Sequence, residues 1–274
     1  MVNRPGNCRG VRFAALNPRL EATANMTFRV AFLNLEQDHR RWEMRRHLIV
    51  EQLTELNPDI FAMNEVCIHA QTARWLQRQV TLSTGTRFAL IQQSKTNGGS
   101  RVEGEGVLTC FPIVESANLD YETLNYVALV ARMEIDERLL DVYVTHLYKS
   151  TGDESLRVFQ VQQLLEWIDS RDDVDAQIVC GDFNAAPDKP AARLMAKTFA
   201  ATQHGATAFT ALADDAGEIA HPYWQRMDRS IDYIWRRGAI TSTNSGLCFD
   251  RPDAQDETLW PSDHVGVWAD LEWT

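Results

Sequence analysis

Eight polar residues stand where apolar segments of the chain end or begin. Asn34 closes FLN, Glu65 closes AMNE, His146 closes VYVTH, Asp182 and Asn184 follow IVC, Asp232 lies inside SIDYI, and Asp263 and His264 precede VGVW. A charge at a buried strand end costs several kcal/mol unless a partner or cation compensates it. One such residue is by default a satisfied polar group; the recurrence implies convergence on a shared cleft. Asp182 and Asn184, two residues apart, offer a carboxylate that can orient or deprotonate water and an amide that can donate to a phosphate oxygen. Glu65 is a hard-oxygen ligand for Mg2+ or Mn2+, with Asn34 beside it from a neighbouring strand. Mg2+ commonly takes one or two protein carboxylates, so Glu65 helped by Asp263 suffices. An imidazole held by a carboxylate is a tuned acid, base or phosphate binder, which fits His146 and His264. Asp232, an aspartate inside an apolar strand, needs such a neighbour. Each has an ordinary reading in isolation: GDFN is a turn, Glu65 a strand-end carboxylate, and each histidine a core imidazole bonded to backbone. His39, His47, His69, His204 and His221 lack comparable settings.

Strands and helices must bring these groups together. FRVAFLNL (28–35) reads as a buried strand, and 41–57 has helical spacing that stops at Asn57-Pro58. DIFAMNEV is a second strand, a helix is predicted over 70–82, and a strand over 88–92. NGGSRVEGEG (97–106) reads as a turn-rich loop. VLTCFPIV, NYVALVARMEI and LLDVYVTHL read as strands, the last two joined by a turn at Asp136-Glu137-Arg138. A helix follows over 154–170, then QIVCGDFN as a strand ending in a turn, and a helix over 189–199. SIDYIW, AITSTNSGLCF and VGVWADLEW complete the strands. Both halves run strand, helix, strands, so two packed sheets covered by helices is the natural architecture. A single domain over 27–274 is expected. Residues 1–26 carry Arg4, Arg9, Arg12 and Arg19 but no apolar h-region, and read as a loose leader.

The chain has 274 residues and a net charge of −11, from 38 acidic and 27 basic residues. That balance disfavours non-specific polyanion binding, although a metal would invert the local charge of any carboxylates it holds. The five cysteines contain no CxxC spacing, and Cys67, Cys110 and Cys180 sit in apolar contexts. Buried free thiols, a reducing compartment and a cytoplasmic monomer are the expectation. No apolar run approaches the ~18 residues of a membrane-spanning helix.

The ordered set FLN, NEV, THL, GDFN, SIDYI and SDH resembles the endonuclease/exonuclease/phosphatase superfamily, the deoxyribonuclease I-like hydrolases, over about residues 27–273. GEGVLTCFPI, with Arg157 and Gln160 in the helix after THL, also fits the family's shape. The resemblance implies an α/β fold, a four-layer αββα sandwich of two packed, mostly antiparallel sheets flanked by helices. It further implies that Asn34, Glu65 and Asp263 serve a Mg2+ or Mn2+ site. His146 would face the scissile phosphate, Asp182 and Asn184 would position the attacking water, and Asp232 would orient His264. Asp182 and His264 both remain candidates for the base, with Asp182 preferred and His264 binding phosphate. One departure is Asn64, where many relatives have glutamine. The implied substrate is a phosphate ester, with nucleic acid, a lipid phosphodiester and an inositol phosphate all open; the non-enzymatic alternative is a binding module that has lost its chemistry. Lys95, Arg101, Lys149, Arg226 and Arg229 are the basic groups nearest the expected site loops, and Tyr223 and Trp224 the aromatics that could stack on a base or sugar.

Overall fold

A computed structural model describes residues 26–36, 41–96, 103–121, 124–149, 154–202, 208–209 and 227–274. In chain order these form β1 (Thr27–Asn34), α1 (Trp42–Leu56), β2 (Ile60–Cys67), α2 (Thr72–Thr84), β3 (Ala89–Ser94), β4 (Glu103–Thr109), β5 (Ile113–Asp120), β6 (Val127–Ile135) and β7 (Arg138–His146). Then come α3 (Glu154–Asp169), β8 (Ala176–Asp182), α4 (Pro190–Met195), β9 (Ala200–Ala201), β10 (Ala208–Phe209), β11 (Met227–Arg229), β12 (Asp232–Gly238), β13 (Ile240–Cys248) and β14 (Gly266–Trp273).

Two six-stranded sheets carry the fold, in the orders β13-β14-β1-β2-β4-β3 and β5-β6-β7-β8-β12-β9. Their inner faces share one apolar core, in which Val30, Phe32, Ala62 and Val107 of the first sheet pack with Val142, Val144, Ile178 and Ile234 of the second. The outer face of the first sheet buries Leu33, Phe61 and Met63 with Ile49 and Leu53 of α1 and Leu76 and Val80 of α2. The outer face of the second buries Tyr143 and Val179 with Val161, Leu164 and Ile168 of α3 and Met195 of α4. Strands buried on both faces read as continuous apolar runs rather than alternating ones. The expected four-layer αββα sandwich is the fold observed.

Each sheet contains one parallel pair, β1 with β2 and β7 with β8, joined through α1 and α3 respectively. Parallel pairing puts the C-terminal ends of both strands on one edge of the sheet. Asn34 is thus level with Asn64, and His146 with Asp182. Antiparallel β12 then sets Asp232 opposite Asp182. Strand register gathers these residues before any side chain makes a contact.

Four local expectations require correction. NGGSRVEGEG is not loop to its end, because β4 begins at Glu103 and pairs with both β2 and β3. Glycine there serves close approach: a Cβ on Gly104 would collide with the Gln93 carbonyl. VLTCFPIV is not one strand; it breaks at Phe111-Pro112, and the chain passes from β4 in the first sheet to β5 in the second. The helix expected over 189–199 is regular only over Pro190–Met195. Asn57 ends α1 as expected, in a left-handed conformation with its N–H on the Leu53 carbonyl. Cys67, Cys180 and Cys248 are free, whereas Cys110 is disulfide-bonded, so the reading of that residue as a thiol is corrected. An odd cysteine count leaves room for a bridge, and apolar neighbours do not exclude one. No helix among the described residues is long and apolar enough to cross a membrane.

Candidate functional site

Glu65 sits where the pairing of β2 with β4 slips between Met63 and Val66, and it takes φ 57°. A bulge with a left-handed non-glycine residue is costly and re-aims a side chain. The Glu65 carboxylate Oε1 accepts from Asn34 Nδ2 at 3.0 Å and lies 3.9 Å from His146 Nδ1. Burial, then the nearby Glu103 and Asp263 carboxylates, hold the proton affinity of Glu65 well above the ordinary range. Asn34 also donates to Asp182 Oδ2 at 3.3 Å, while its own Oδ1 accepts the Glu36 N–H at 3.0 Å. Asn34 therefore turns its donor, and not its oxygen, towards the carboxylates.

Asp182 is 2% exposed. Burial, then the Asp232 carboxylate, push its pKa up to about 7. Its Oδ1 accepts the Asn184 N–H at 2.7 Å, closing the tight turn that GDFN predicts. Asn184, at φ 48°, points Nδ2 at both the Leu147 carbonyl (3.0 Å) and His146 Nε2 (3.2 Å).

The two histidines are driven in opposite directions. His146 is buried, with Lys95 Nζ 3.4 Å from Nδ1 and Asn184 Nδ2 on the other ring nitrogen, and its ring packs edge-on to Tyr126. Burial, then the positive charge of Lys95, hold its pKa well below the ordinary histidine range. Burial also opposes charging of His264, but Asp232, whose carboxylate oxygens lie 3.0 and 3.2 Å from His264 Nδ1, together with the Asp263 and Asp182 carboxylates outweighs it and raises the pKa well above that range. His264 Nε2 is 3.9 Å from Asp182 Oδ2. Titrating groups whose environments separate them in this way mark acid and base roles.

The structure thus places Asn34, Glu65, His146, Asp182, Asn184, Asp232 and His264 in one linked cluster across both sheets, with half-buried Asp263 close enough to act on Glu65. Asp182, Asp232 and His264 also satisfy the spacing of a metal-holding group. Within that group His264 Nδ1 is hydrogen-bonded to the Asp232 carboxylate, which leaves His264 Nε2 facing Asp182. Of the basic groups singled out, Lys95 faces the cleft in an ion pair with Glu103. Lys149 and Arg229 are exposed. Arg101, Tyr223, Trp224 and Arg226 lie outside the described residues.

Several participants carry no strand-end signature. Asn64 and Glu105 are buried behind Asp182 and linked to each other. Arg45, 2% exposed, donates to the Pro261 carbonyl at 2.5 Å and pairs with Glu36 at 3.0 Å. Ser262 Oγ donates to the Asn34 carbonyl at 2.6 Å and accepts the His264 N–H at 3.2 Å. Arg45 and Ser262 together tie the loop carrying Asp263 and His264 to the end of β1. Ser262 had a signal in its place in SDH, and Asn64 stood out only as a departure from the family's glutamine.

A sequence model of the Endonuclease/Exonuclease/phosphatase family matches residues 25–264. Among curated proteins, Nocturnin of Xenopus laevis is 27% identical over 264 residues, covering 88% of this chain and 67% of that protein. Human Nocturnin is 26% identical, with 89% of this chain and 61% of that protein covered. The chain thus spans three fifths to two thirds of the length of these relatives. The solved human Nocturnin catalytic domain, with a bound sulfate anion, superimposes with a TM-score of 0.69 at 26% identity, over 90% of this chain and 94% of that one. Danio rerio TDP2 complexed with a single-strand DNA product gives a TM-score of 0.71 at 14% identity, over 90% and 99%, a likeness of fold alone.

Proposed function

Because this chain belongs to the Endonuclease/Exonuclease/phosphatase family, we propose that it hydrolyses phosphodiesters by in-line attack of water, assisted by a divalent cation, Mg2+ or Mn2+. The observation that carries this reading is the contrasting setting of the two histidines around Asp182: His146 lies between Lys95 and Asn184, whereas His264 is held by the Asp232 carboxylate. The sulfate in the related human domain is a tetrahedral oxyanion, which accords with a phosphate ester.

The residues present fit the cation. Glu65 is a desolvated carboxylate pressed by further negative charge from Glu103 and Asp263, an arrangement that a hard cation relieves. Glu65 and Asp263 would hold it, and Asn34 would fix the Glu65 carboxylate through Nδ2. When bound, such a cation polarises a phosphoryl oxygen and offsets the charge that develops there.

The chain's own groups supply the rest. Asp182, with a pKa near neutrality, orients the water and takes its proton, since a base works best near the operating pH. Asn184 holds the far side of that water or donates to a non-bridging oxygen. His264, kept charged by Asp232, binds the phosphate and faces the leaving oxygen. His146 stays neutral between Asn184 and Lys95 and packs against the phosphate without titrating. No covalent intermediate is required.

A hydrolysis panel of DNA, RNA, sphingomyelin, inositol phosphates and bis(p-nitrophenyl) phosphate, with and without Mg2+, tests the reading. Metal-dependent cleavage of diesters is the expected result. Turnover confined to phosphomonoesters would replace the diesterase reading, and no turnover on any substrate would favour a binding module.

A further inference from the structure

We infer that the outward face of α2 is a docking track for a single-stranded polynucleotide whose scissile phosphate lies in the cleft between Glu65 and His264; this rests on the diesterase reading. Helix α2 contains Arg74 and Arg78 and no acidic residue, in a chain whose net charge is −11. Its buried face is Ala73, Leu76 and Val80. Arg74, Trp75, Arg78 and Gln79 recur at three- and four-residue steps, which puts them on the opposite face. With Gln71 and Ala70 they line a groove of about 400 Å3.

Arg74 and Arg78 are exposed and make no ion pair among the described residues. Like charges one turn apart weaken a helix, so the pair brings no return to the fold. They are separated by about 6 Å along the helix axis, a step on the scale of successive phosphates in an extended strand. Between them Trp75 is held edge-on to Trp42 and His47, at 6.3 and 5.3 Å between ring centres, and the Arg46 guanidinium sits 4.4 Å above its ring. A fixed aromatic flanked by cations is the pattern of a groove that takes bases by stacking and backbone by charge.

The track also begins in the right place. Helix α2 starts immediately after the strand end that carries Glu65, and Thr72 Oγ1 at its first turn accepts the Cys67 N–H at 3.0 Å. A strand leaving the cleft beside Glu65 would meet Gln71, then Arg74, then Arg78. The acidic balance of the chain as a whole keeps a polyanion off other surfaces and confines it here. Two cations give modest, salt-sensitive affinity.

The test compares the wild-type chain with Arg74→Glu/Arg78→Glu, and with Arg193→Glu/Lys197→Glu as a control that changes net charge equally on exposed positions elsewhere. Binding of a fluorescein-labelled single-stranded 20-mer is followed by anisotropy in EDTA, and turnover of bis(p-nitrophenyl) phosphate is measured with Mg2+. The expected result is affinity lower by roughly tenfold or more in the α2 variant alone, and a slope of log affinity against log salt shallower by about 1.4, from ~0.7 per phosphate contact. Turnover of the small diester is expected to stay at the wild-type level. Equal 20-mer affinity in the wild type and the α2 variant would overturn the track, as would equal losses in both variants. So would wild-type binding to anionic phosphatidylserine vesicles with none to the 20-mer. Absence of small-diester turnover in the wild type would instead sink the catalytic reading, while the anisotropy arm still reports on the groove.

Discussion

The side-chain Oδ1 of Asn64, on the first sheet, accepts the backbone N–H of Asp182, on the second, at 2.8 Å. Its Nδ2 is turned to the Glu105 carboxylate, and all three residues are buried. An amide wedged between a fixed donor and a fixed acceptor has one orientation. Glu105 therefore sets Asn64, and Asn64 sets the main chain at the proposed base. Asn64→Ala is expected to lower kcat/KM by roughly 100-fold, the scale of a small misplacement of a catalytic group. Asn64→Asp alone removes the amide donor that faces Glu105 and sets two carboxyl groups against each other. Adding Glu105→Gln restores a donor facing an acceptor, so the double variant should be more active than Asn64→Asp in steady-state kinetics. Purely additive losses would remove the positioning role.

Glu105 itself makes stability depend on pH. Burial, only partly offset by Lys95, pushes its pKa up to about 8 from an ordinary value of 4.5. The folded state then binds a proton that the unfolded state releases. The resulting stability is fully present below about pH 4.5 and is lost as pH rises through about 8. Glu105→Gln cannot ionise, so its unfolding free energy relative to wild type should rise across that window, by on the order of 5 kcal/mol. Denaturant unfolding at a series of pH values measures it; parallel curves for the two proteins would contradict it.

The rate should depend on pH with two limbs. Asp182 acts as a base only when ionised, so kcat/KM should fall as pH drops through about 7. The basic limb belongs to His264, which Asp232 keeps charged to well above the ordinary histidine range. Asp232→Asn should bring that limb to lower pH, and should lower the acidic limb as well, because the Asp232 carboxylate helps to raise Asp182. A basic limb that does not move would dissociate His264 from the reaction.

Gly181→Ala tests how tightly the sheet end is packed. A Cβ at Gly181 would collide with the Thr145 carbonyl on the neighbouring strand. That strand carries His146 in register with Asp182. Melting temperature and kcat should fall together. Unchanged thermal stability would show that β7 and β8 have slack.

The strand ends were legible in the sequence because a polar residue inside an apolar run is an anomaly with a physical cost. Asn34, Glu65, His146, Asp182, Asn184, Asp232 and His264 were all found on that ground, and the fold followed from their order. Glu103 and Glu105 were not, because GEG reads as a turn until two neighbouring strands approach close enough to exclude a Cβ from Gly104. Asn64 stood out only as a departure from the family's glutamine, and its positioning role was not legible. Its partners Glu105 and Asp182 are 41 and 118 residues away, and contacts between sheets leave no periodicity in the chain. The break at Phe111-Pro112 was hidden for a related reason. Both flanking segments are strands, and only the assembled fold shows that they belong to different sheets.

The most direct measurement is an Mg2+ titration of bis(p-nitrophenyl) phosphate hydrolysis, by wild-type protein stripped with EDTA and by Glu65→Gln. The stripped wild type should be inactive and recover saturably with Mg2+, while Glu65→Gln should need roughly 10–100-fold more Mg2+ or fail to recover. Hydrolysis that survives the chelator, or a Glu65→Gln curve that overlays the wild type, would contradict cation-assisted catalysis at this cleft.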